Sequence, residues 1–249
     1  FGPHVFIKQQ MDDCSPEFTQ WLETHPEARA FVAMREGRRV PLFLTARLVF
    51  GALWRDPLLY VLRNYPGGIG MKMRERYYRR KFRGMGTCVL LDEGIRIEGP
   101  EHISIGDFVW IDKDVRLLAP WGSITIGRRV HIAEHVLISG GGHVSIGDYA
   151  AIARGASIYS HSEAIVGGKR MSGPMIPEDQ KGMRSAPIVI GKDALIGINA
   201  VVLPGVMIGE GAIVGANSMV NRDVKDWEIV FGSPAKRVAM RPRVTVRDV

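Results

Sequence analysis

Large aliphatic residues recur at every sixth position along residues 105–220. A period of six fits neither an amphipathic helix nor a simple alternating strand. It fits short strands separated by tight corners, with one aliphatic side chain per strand pointing inward, which is the pattern of a parallel β-helix built from hexapeptide repeats. The predicted core positions are Ile105, Ile111, Leu117, Ile126, Ile132, Ile138, Ile146, Ile152, Ile158, Ile190, Ile196, Val202, Ile208, Val214 and Val220.

Three hexapeptides form one triangular coil, so equivalent core positions in a regular coil lie eighteen residues apart. Ile190 and Ile208 have this spacing. The coil that begins at Ile105 is three residues longer, and the next coil is two residues longer. We assign these extra residues to small insertions at two corners, 120–122 and 140–142.

The largest departure from the period lies between Ile158 and Ile190, which are thirty-two residues apart where six are expected. About twenty-six residues must therefore leave the β-helix and return to it in register. Loops of this length inside a compact domain are usually functional or disordered. We predict an extruded loop at about 164–187.

Helix signals dominate the first eighty-five residues. Ser15, Pro16 and Glu17 form a helix start with proline at the first helical position, and segment 64–68 is a strong breaker. Further helices are predicted over 26–36, 41–54 and 57–63. The predicted organisation is an N-terminal α-helical domain over 1–85, a β-helix over 86–231, and a closing segment with a basic tail over 232–249.

The composition is that of a globular protein with an oppositely charged partner. The 249 residues, 46% of them apolar, are enough for one large domain or a domain with a smaller companion. The net charge of +7 favours an anionic partner, such as a phosphorylated cofactor, a nucleotide sugar, nucleic acid or an acidic membrane surface. Cys14 and Cys88 form no disulfide framework, which favours a reducing compartment, and we place Cys88 in the core.

The most apolar run covers residues 40–62. Arg47, Arg55, Asp56 and Pro57 interrupt it, so it lacks the ~20 uninterrupted apolar residues of a spanning helix. Buried helices are favoured over a helix that lies in the membrane interface. No export signal is recognisable, and we expect a cytoplasmic protein.

The basic segment 71–83 contains aromatic residues among its charges and has two interpretations. One is a patch that binds acidic lipid head groups or nucleic acid. The other is a helix with Tyr77, Tyr78 and Phe82 inward and a solvated basic face. The second is favoured, and nucleic acid is not expected because no binding motif accompanies the charge. A peripheral membrane contact through this segment stays open.

His161 is the candidate catalytic residue, because it stands where the extruded loop begins, in Ile158-Tyr159-Ser160-His161. It follows an inward isoleucine by three positions, so it should point outward at a corner. A neutral imidazole there can take a proton from an attacking hydroxyl or amine, a role typically worth ~10²- to 10⁴-fold in rate. A surface histidine that caps a loop is the equally weighted alternative.

His131, His135 and His143 raise a zinc alternative, since histidines on adjacent coils of such a fold can bind the metal. His135 is predicted at the corner after the second strand of its coil, whereas His161 follows the third strand of the next coil. The two could therefore meet only across an interface between copies, and we expect no metal site.

The segment 188–220 and its continuation Gly232-Ser233-Pro234-Ala235-Lys236 resemble the hexapeptide-repeat acyltransferases. Within that family they are similar to the sugar O- and N-acetyltransferases related to the maltose, galactoside and chloramphenicol acetyltransferases. The resemblance covers about 86–241 and includes the His at the start of an extruded loop and the Pro-Ile-Val-Ile-Gly re-entry at 187–191. The preceding basic helix is similar to members that build cell-surface polysaccharides.

This resemblance implies a left-handed β-helix, against the usual right-handed crossover, and a homotrimer with acyl-CoA in grooves between subunits. His161 matches the catalytic base of the family. Gly197 and Ala216 match positions whose backbone lines the pantetheine arm. Lys236, together with Arg237, matches the basic residue that meets the CoA phosphate.

Four residues are predicted to bind the acceptor: Glu134, His135, Glu163 and Arg184. Some hydroxyl-acetylating relatives place an Asn where this chain has Glu134-His135, facing the catalytic His from the neighbouring subunit. An aromatic is frequent after the re-entry, where this chain has Leu195. Both departures concern the acceptor rather than the acyl transfer.

The function implied is an acetyl-CoA-dependent acetyltransferase that acts on a sugar hydroxyl or on the amine of a nucleotide-linked amino sugar. Cell-surface polysaccharide, such as lipopolysaccharide, is the expected product pathway. A zinc-dependent hydratase of the γ-carbonic anhydrase type on the same scaffold and a non-catalytic scaffold are the alternatives. The residues do not separate hydroxyl from amine, or acetyl from a longer acyl group.

Overall fold

The computed structural model describes residues 39–163, 170–171, 180 and 182–243. Within this part of the chain, two helices precede the β-structure: α1 at Leu42–Asn64 and α2 at Gly67–Tyr78. The break predicted at 64–68 is confirmed. The helices predicted from Ser15 and over 26–36 lie outside the described residues.

Three predictions about this region were wrong. The helices predicted over 41–54 and 57–63 are one helix that contains Pro57, since a proline removes a backbone hydrogen bond and often kinks a helix without ending it. The basic helix begins at Gly67 and ends at Tyr78. Buried helices were expected here, but among the described side chains of α1 Leu42 and Leu53 are 85% and 65% exposed. No helix in the described residues is long and apolar enough to cross a membrane.

From Gly84 onward the chain forms six complete coils of three short strands each. In chain order the strands are β1 Gly84–Met85, β2 Leu90–Leu91, β3 Arg96–Glu98; β4 Ile103–Ile105, β5 Trp110–Ile111, β6 Arg116–Leu118; β7 Ile124–Ile126, β8 His131–Ile132, β9 Leu137–Ser139; β10 Val144–Ile146, β11 Ala151–Ile152, β12 Ser157–Tyr159; the pair β13 His161–Glu163 and β14 Met183–Ser185 outside the coils; β15 Ile188–Ile190, β16 Leu195–Ile196, β17 Val201–Val202; β18 Met207–Ile208, β19 Ile213–Val214, β20 Met219–Val220; and the closing strands β21 Glu228–Phe231 and β22 Lys236–Met240.

Equivalent strands of successive coils pair in parallel and form three sheets, which we call the first, second and third faces in chain order. The strand β21 extends the second face in parallel, and β22 follows it antiparallel. All the core positions predicted from the six-residue period are buried, with exposed fractions between 0% and 4%. They form one continuous core cluster. The predicted β-helix of hexapeptide repeats is confirmed.

The long insertion leaves the coil and returns without changing the register. On each face a core residue before the insertion pairs with a core residue after it: Ile146 with Ile190, Ile152 with Ile196, and Ile158 with Val202. The inserted residues therefore add nothing to the stack of coils. They are attached at the single corner that follows β12.

Arg74 of α2 is fully buried, which the basic pattern of its segment did not predict. Its Nη1 donates hydrogen bonds to the carbonyl oxygens of Leu62 and Tyr65 near the end of α1, at 3.0 and 2.8 Å, and its Nε donates to the carbonyl of Leu91 at 2.8 Å. Burial lowers the pKa of Arg74, although Asp92 and other nearby charges oppose this effect. The guanidinium thus ties the end of α1 to the first coil by satisfying carbonyls that a helix end leaves unpaired.

Of the three aromatic residues predicted to face inward, Tyr78 and Phe82 pack on the core, whereas Tyr77 is half-buried and contacts the ring of Tyr78. Phe82 is buried, and Tyr78 stacks on it with ring centroids 5.5 Å apart. Cys88 was placed in the core and this was wrong: it is exposed at a corner, where its φ is 52°. A residue at the apex of a tight corner points away from the core whatever its hydrophobicity.

Candidate active site

The corners between the third and the first face carry the irregular residues of the β-helix. In successive coils these corners contain Trp121, Gly141 and His161, each shortly after a strand of the third face. Trp121 and Gly141 belong to the two insertions predicted from coil length. Stacked strands lie ~4.8 Å apart, so the backbones of Trp121 and His161 are separated by two layers, with Gly141 between them.

The side chains of Trp121 and His161 meet over Gly141. Their ring centroids are 6.1 Å apart, and the planes cross at 68°. A methyl group on Gly141 would lie 2.8 Å from Nδ1 of His161 and 2.8 Å from Nε1 of Trp121. Because carbon and nitrogen atoms do not pack this closely, the missing side chain of Gly141 makes room for both rings.

His161 turns one ring nitrogen toward the protein. Its Nδ1 is buried and has no hydrogen-bond partner, and the ring of Tyr159 lies edge-on with its centroid 6.1 Å away. The side chain as a whole is half-buried. The nitrogen that a ligand can reach is therefore Nε2, and the rings of Trp121 and Tyr159 pack against the imidazole.

Ser160 fixes the backbone next to His161. Its hydroxyl is buried, donates to the carbonyl of Ser139 at 2.8 Å and accepts the N–H of Gly142 at 2.8 Å. The chain returning from the insertion is held at the same place, because the N–H of Ala186 donates to the carbonyl of Ser160 at 2.9 Å. Both ends of the insertion are thus anchored beside the candidate base.

Of the predicted acceptor residues, Arg184 lies in the same column of corners as His161. Its Nη2 is 3.7 Å from the point where a methyl group on Gly205 would lie, at the corner after β17, and the side chain is exposed. Glu163 ends β13 and is half-buried. Most of the extruded loop between 164 and 181, including most of its charged residues, lies outside the described residues.

Four other predicted residues lie at the corner between the second and the third face. Glu134 is half-buried and His135 is exposed after β8, while Gly197 follows β16 and Ala216 lies one layer above it. A methyl group on Gly197 would lie 2.7 Å from the backbone N of Ala216. Close contact between layers therefore requires glycine there. In one chain, these four residues and His161 lie at opposite ends of the third face.

Lys236 and Arg237 begin β22 and are exposed. The segment before them packs on β20: the N–H of Met219 donates to the carbonyl of Gly232 at 3.0 Å, and the N–H of Ala235 donates to the carbonyl of Met219 at 2.8 Å. The third face thus continues from β12 through β17 and β20 to this closing segment. Along the stack, Lys236 lies three layers, roughly 14 Å, from the coil that precedes His161.

The other histidines of the β-helix have separate partners. His131 Nε2 is 3.0 Å from Asp112 Oδ2, and His143 Nδ1 is 2.9 Å from the hydroxyl of Ser123. Across residues 39–163 and the later described segments, no three His, Cys, Asp or Glu side chains are grouped closely enough to hold a metal ion. Within one chain, the histidines do not form the zinc site considered above.

Trp121 and Tyr159 were missing from the predicted site. Trp121 is 61% exposed, and an exposed tryptophan inside a corner insertion two coils before the candidate base is a signal that the sequence contained. Tyr159 immediately follows a core isoleucine in β12, so its place near the imidazole was also readable. The contact of both rings with His161 required knowledge of which corners stack.

A family model matches this chain. The model of the bacterial transferase hexapeptide (six repeats) matches residues 187–222. The dTDP-4-amino-4,6-dideoxy-D-glucose acyltransferase of Escherichia coli is 37% identical over 162 residues, which cover 65% of this chain and 84% of the relative. A shorter match, 49% identical over 53 residues, joins 21% of the chain to 25% of a chloramphenicol acetyltransferase of Klebsiella aerogenes.

Among solved structures, this chain is similar to AntD, an N-acyltransferase from Bacillus cereus in complex with dTDP and 3-hydroxybutyryl-CoA. The TM-score is 0.64 at 33% identity, over 68% of this chain and 89% of AntD. An AntD variant in complex with dTDP-4-amino-4,6-dideoxyglucose and coenzyme A aligns equally well. The fold is that of the acyltransferases built on hexapeptide repeats, and this chain belongs to the hexapeptide-repeat acyltransferase family.

Proposed function

We propose that this protein transfers an acyl group from an acyl-coenzyme A to the amine of a nucleotide-linked amino sugar. The observation that carries the proposal is the placement of His161, with Nδ1 buried, Nε2 accessible and both ends of a long insertion anchored beside it. Two of these likenesses support an amine rather than a hydroxyl, because one relative is named for a 4-amino sugar and the other is an N-acyltransferase.

The chemistry follows from the accessible imidazole nitrogen. The acceptor nitrogen attacks the carbonyl carbon of the thioester, and Nε2 of His161 takes the proton that this nitrogen loses. The tetrahedral intermediate then expels the thiolate by cleavage of the C–S bond. The thiolate receives the proton from His161, so the imidazole returns to its neutral form. Backbone N–H groups at the corner stabilise the oxyanion.

The donor is proposed to lie along the third face, with its phosphates at the closing segment. The roughly 14 Å between the coil of His161 and Lys236 is comparable to an extended pantetheine arm. Lys236 and Arg237 are exposed cations at that end. The glycine at Gly197 keeps the stacked layers close, which leaves the backbone accessible beside Ala216.

A complete site of this kind needs a second copy of the chain, because His161 lies at one corner, whereas Gly197, Ala216 and the predicted acceptor residue His135 lie at another. We propose a homotrimer in which the corner of His161 on one subunit faces the corner of Gly197 and His135 on the next. The outward residues of the third face suit such a seam, since from the third coil onward they are uncharged and half-buried: Leu137, Ser157, Val201 and Met219.

A mixture of two inactive variants tests the shared site. His161→Ala removes the base at one corner, and Ala216→Trp fills the groove at the other corner. In randomly mixed trimers about a quarter of the seams combine two intact corners, so the mixture should regain about a quarter of the wild-type activity. Two variants that stay inactive after mixing, in a protein that is trimeric by light scattering, would contradict a site between subunits.

The acceptor and donor are tested together by release of free thiol. With acetyl-CoA, dTDP-4-amino-4,6-dideoxyglucose should react and dTDP-glucose should not, because only the first has an amine. Repeating the reaction with 3-hydroxybutyryl-CoA separates an acetyl donor from a longer acyl donor. Thiol release with dTDP-glucose alone would contradict the amine acceptor, and no release with any acyl-CoA would overturn the proposal.

A further inference from the structure

The helix α1 exposes its apolar stripe. Most of its described exposed apolar residues share one helical face, with the spacing i, i+4, i+7, i+11 and i+18: Leu42, Ala46, Val49, Leu53 and Tyr60, flanked by Phe43, Phe50 and Val61. We call these eight residues the apolar stripe. Their large members are between 48% and 85% exposed. Leu58 is also exposed but lies outside this face. Leu62, half a turn away from this face, is buried at 6%.

An ordinary surface helix turns its apolar stripe to the core, whereas the apolar stripe of α1 faces the solvent. Contiguous exposed apolar patches of this kind mark a surface that binds a partner or a membrane. The β-helix gives no comparable surface: its core positions are filled, and its exposed apolar residues are distributed over separate faces and corners.

The charge of the chain identifies the partner. Residues 42–83 contain ten Lys and Arg residues and two acidic residues, a net charge of +8, whereas the whole chain has +7. All of the net positive charge therefore belongs to this one segment of the sequence, and the remainder of the chain is close to neutral. Exposed members include Lys72, Arg76, Arg79, Arg80 and Lys81.

We propose that α1 lies on the surface of a membrane that contains acidic lipids. The apolar stripe enters the boundary between head groups and acyl chains, and the basic residues that follow α1 contact the phosphates. Each signal alone gives weak and reversible binding, but together they give stable attachment. The helix is proposed to lie on the membrane rather than across it, because Arg47, Arg55, Asp56 and Arg63 make its 23 residues too polar to span.

A second copy of the same helix is a poorer occupant. Two copies of a segment that carries +8 repel each other, whereas an acidic bilayer attracts it. An acyltransferase attached in this way would work next to membrane-bound glycan precursors, but the binding itself does not depend on the acyl transfer proposed above. Its test needs no activity measurement.

The test is co-sedimentation of the full chain with vesicles. Wild type should bind vesicles of phosphatidylcholine with 30% phosphatidylglycerol and should bind pure phosphatidylcholine at least tenfold more weakly. Val49→Gln with Leu53→Gln should reduce binding to the acidic vesicles at least tenfold. The matched control, Leu90→Gln with Phe108→Gln, removes exposed apolar side chains from the β-helix and should change binding less than twofold.

The contribution of charge is tested in the same assay. Arg76→Glu with Arg80→Glu should weaken binding at least tenfold, and Arg154→Glu with Arg222→Glu, which changes the net charge equally but outside segment 42–83, should weaken it less than threefold. Thermal melting checks that each variant is folded. Wild type that ignores acidic vesicles, or a folded stripe variant that binds them like wild type, would overturn the proposal. The proposal would also be overturned if the apolar stripe joined two copies of the chain in solution, or if segment 42–83 bound nucleic acid in preference to vesicles.

Discussion

Two kinds of corner in this β-helix differ in what they do. The corners between the first and the second face are tight, and several turn on one residue with positive φ, such as Phe108 and Tyr149. The corners between the third and the first face are longer and carry every insertion, including the one that begins at His161. The residues that hold the coils together thus lie at the corners between the first and the second face, and the candidate catalytic residue lies at a corner between the third and the first face.

The tight corners are held by aspartates that reach back to the coil below. Asp107 Oδ1 accepts the N–H of Thr87 at 2.6 Å, Asp148 Oδ1 accepts the N–H of Arg128 at 2.9 Å, and Asp226 Oδ1 accepts the N–H of Glu210 at 2.9 Å. Each carboxylate satisfies a backbone group that the turn leaves unpaired. An insertion at this corner would break the ladder, which explains why the extra residues are found elsewhere.

The largest expected difference is between the two histidines at different corners. His161→Ala should lower kcat at least 100-fold with the amine acceptor, because it removes the proposed base. His135→Ala, which changes an exposed residue on the acceptor side, should lower kcat less than tenfold and act mainly on KM. Steady-state rates of thiol release with both substrates varied measure both. A loss below tenfold for His161→Ala counts against a general base and favours an amine that binds already neutral.

Two glycines give the next largest contrast. Gly141→Ala places a methyl group 2.8 Å from the rings of His161 and Trp121, and exposed rings can move, so activity should fall at least tenfold with little change in stability. Gly209→Ala places a methyl group 2.4 Å from the backbone N of Asp226 in a tight corner. It should lower the free energy of unfolding by about 1–3 kcal/mol with near-normal activity at low temperature. Thermal melting and initial rates of the two variants separate these effects. A stability loss for Gly141→Ala together with an activity loss for Gly209→Ala would contradict the assignment of the two corners to activity and to stability.

Trp121 should have a smaller effect, on acceptor binding. Trp121→Ala removes a wall beside His161, and we expect KM for the nucleotide sugar to rise about tenfold while KM for acyl-CoA changes little. The matched control is Trp110→Ala, since Trp110 also contacts a histidine, His131, with ring centroids 5.5 Å apart, but on the second face. Equal kinetic effects of the two substitutions would show that Trp121 has no special part in the site.

The smallest expected effect is a change with pH in the stability that Asp107 contributes at a tight corner. Hydrogen bonds from the backbone and side chain of Thr87 lower the pKa of Asp107. Its stabilising contribution is therefore present above the ordinary aspartate pKa and is lost as the pH falls through the lowered value. The Tm difference between wild type and Asp107→Asn should be larger at pH 7 than at pH 2.5. A difference that does not shrink in acid would assign the effect to packing.

The fold was predictable because one repeated rule encodes it. Each hexapeptide buries one aliphatic residue, so the period of six reveals the strands, the corners and the long insertion without any knowledge of distant contacts. The helices were less predictable: the sequence identified an apolar run over 40–62, but such a run has the same sequence whether it faces a core or the solvent. For the same reason the sequence did not predict that Cys88 is exposed or that Arg74, in a segment expected to present a solvated basic face, is buried.

The sequence by itself determined the architecture and singled out His161, because spacing along the chain is enough to locate a repeat and the point where it is interrupted. Only the tertiary structure decided which residues share a corner. Trp121, Gly141 and His161 follow one another at intervals of twenty residues in the chain, and they meet because two insertions and eighteen-residue coils bring them to the same edge of the stack. The separation of His161 from Gly197 across the third face was decided in the same way, since it depends on how strands are layered and not on their order.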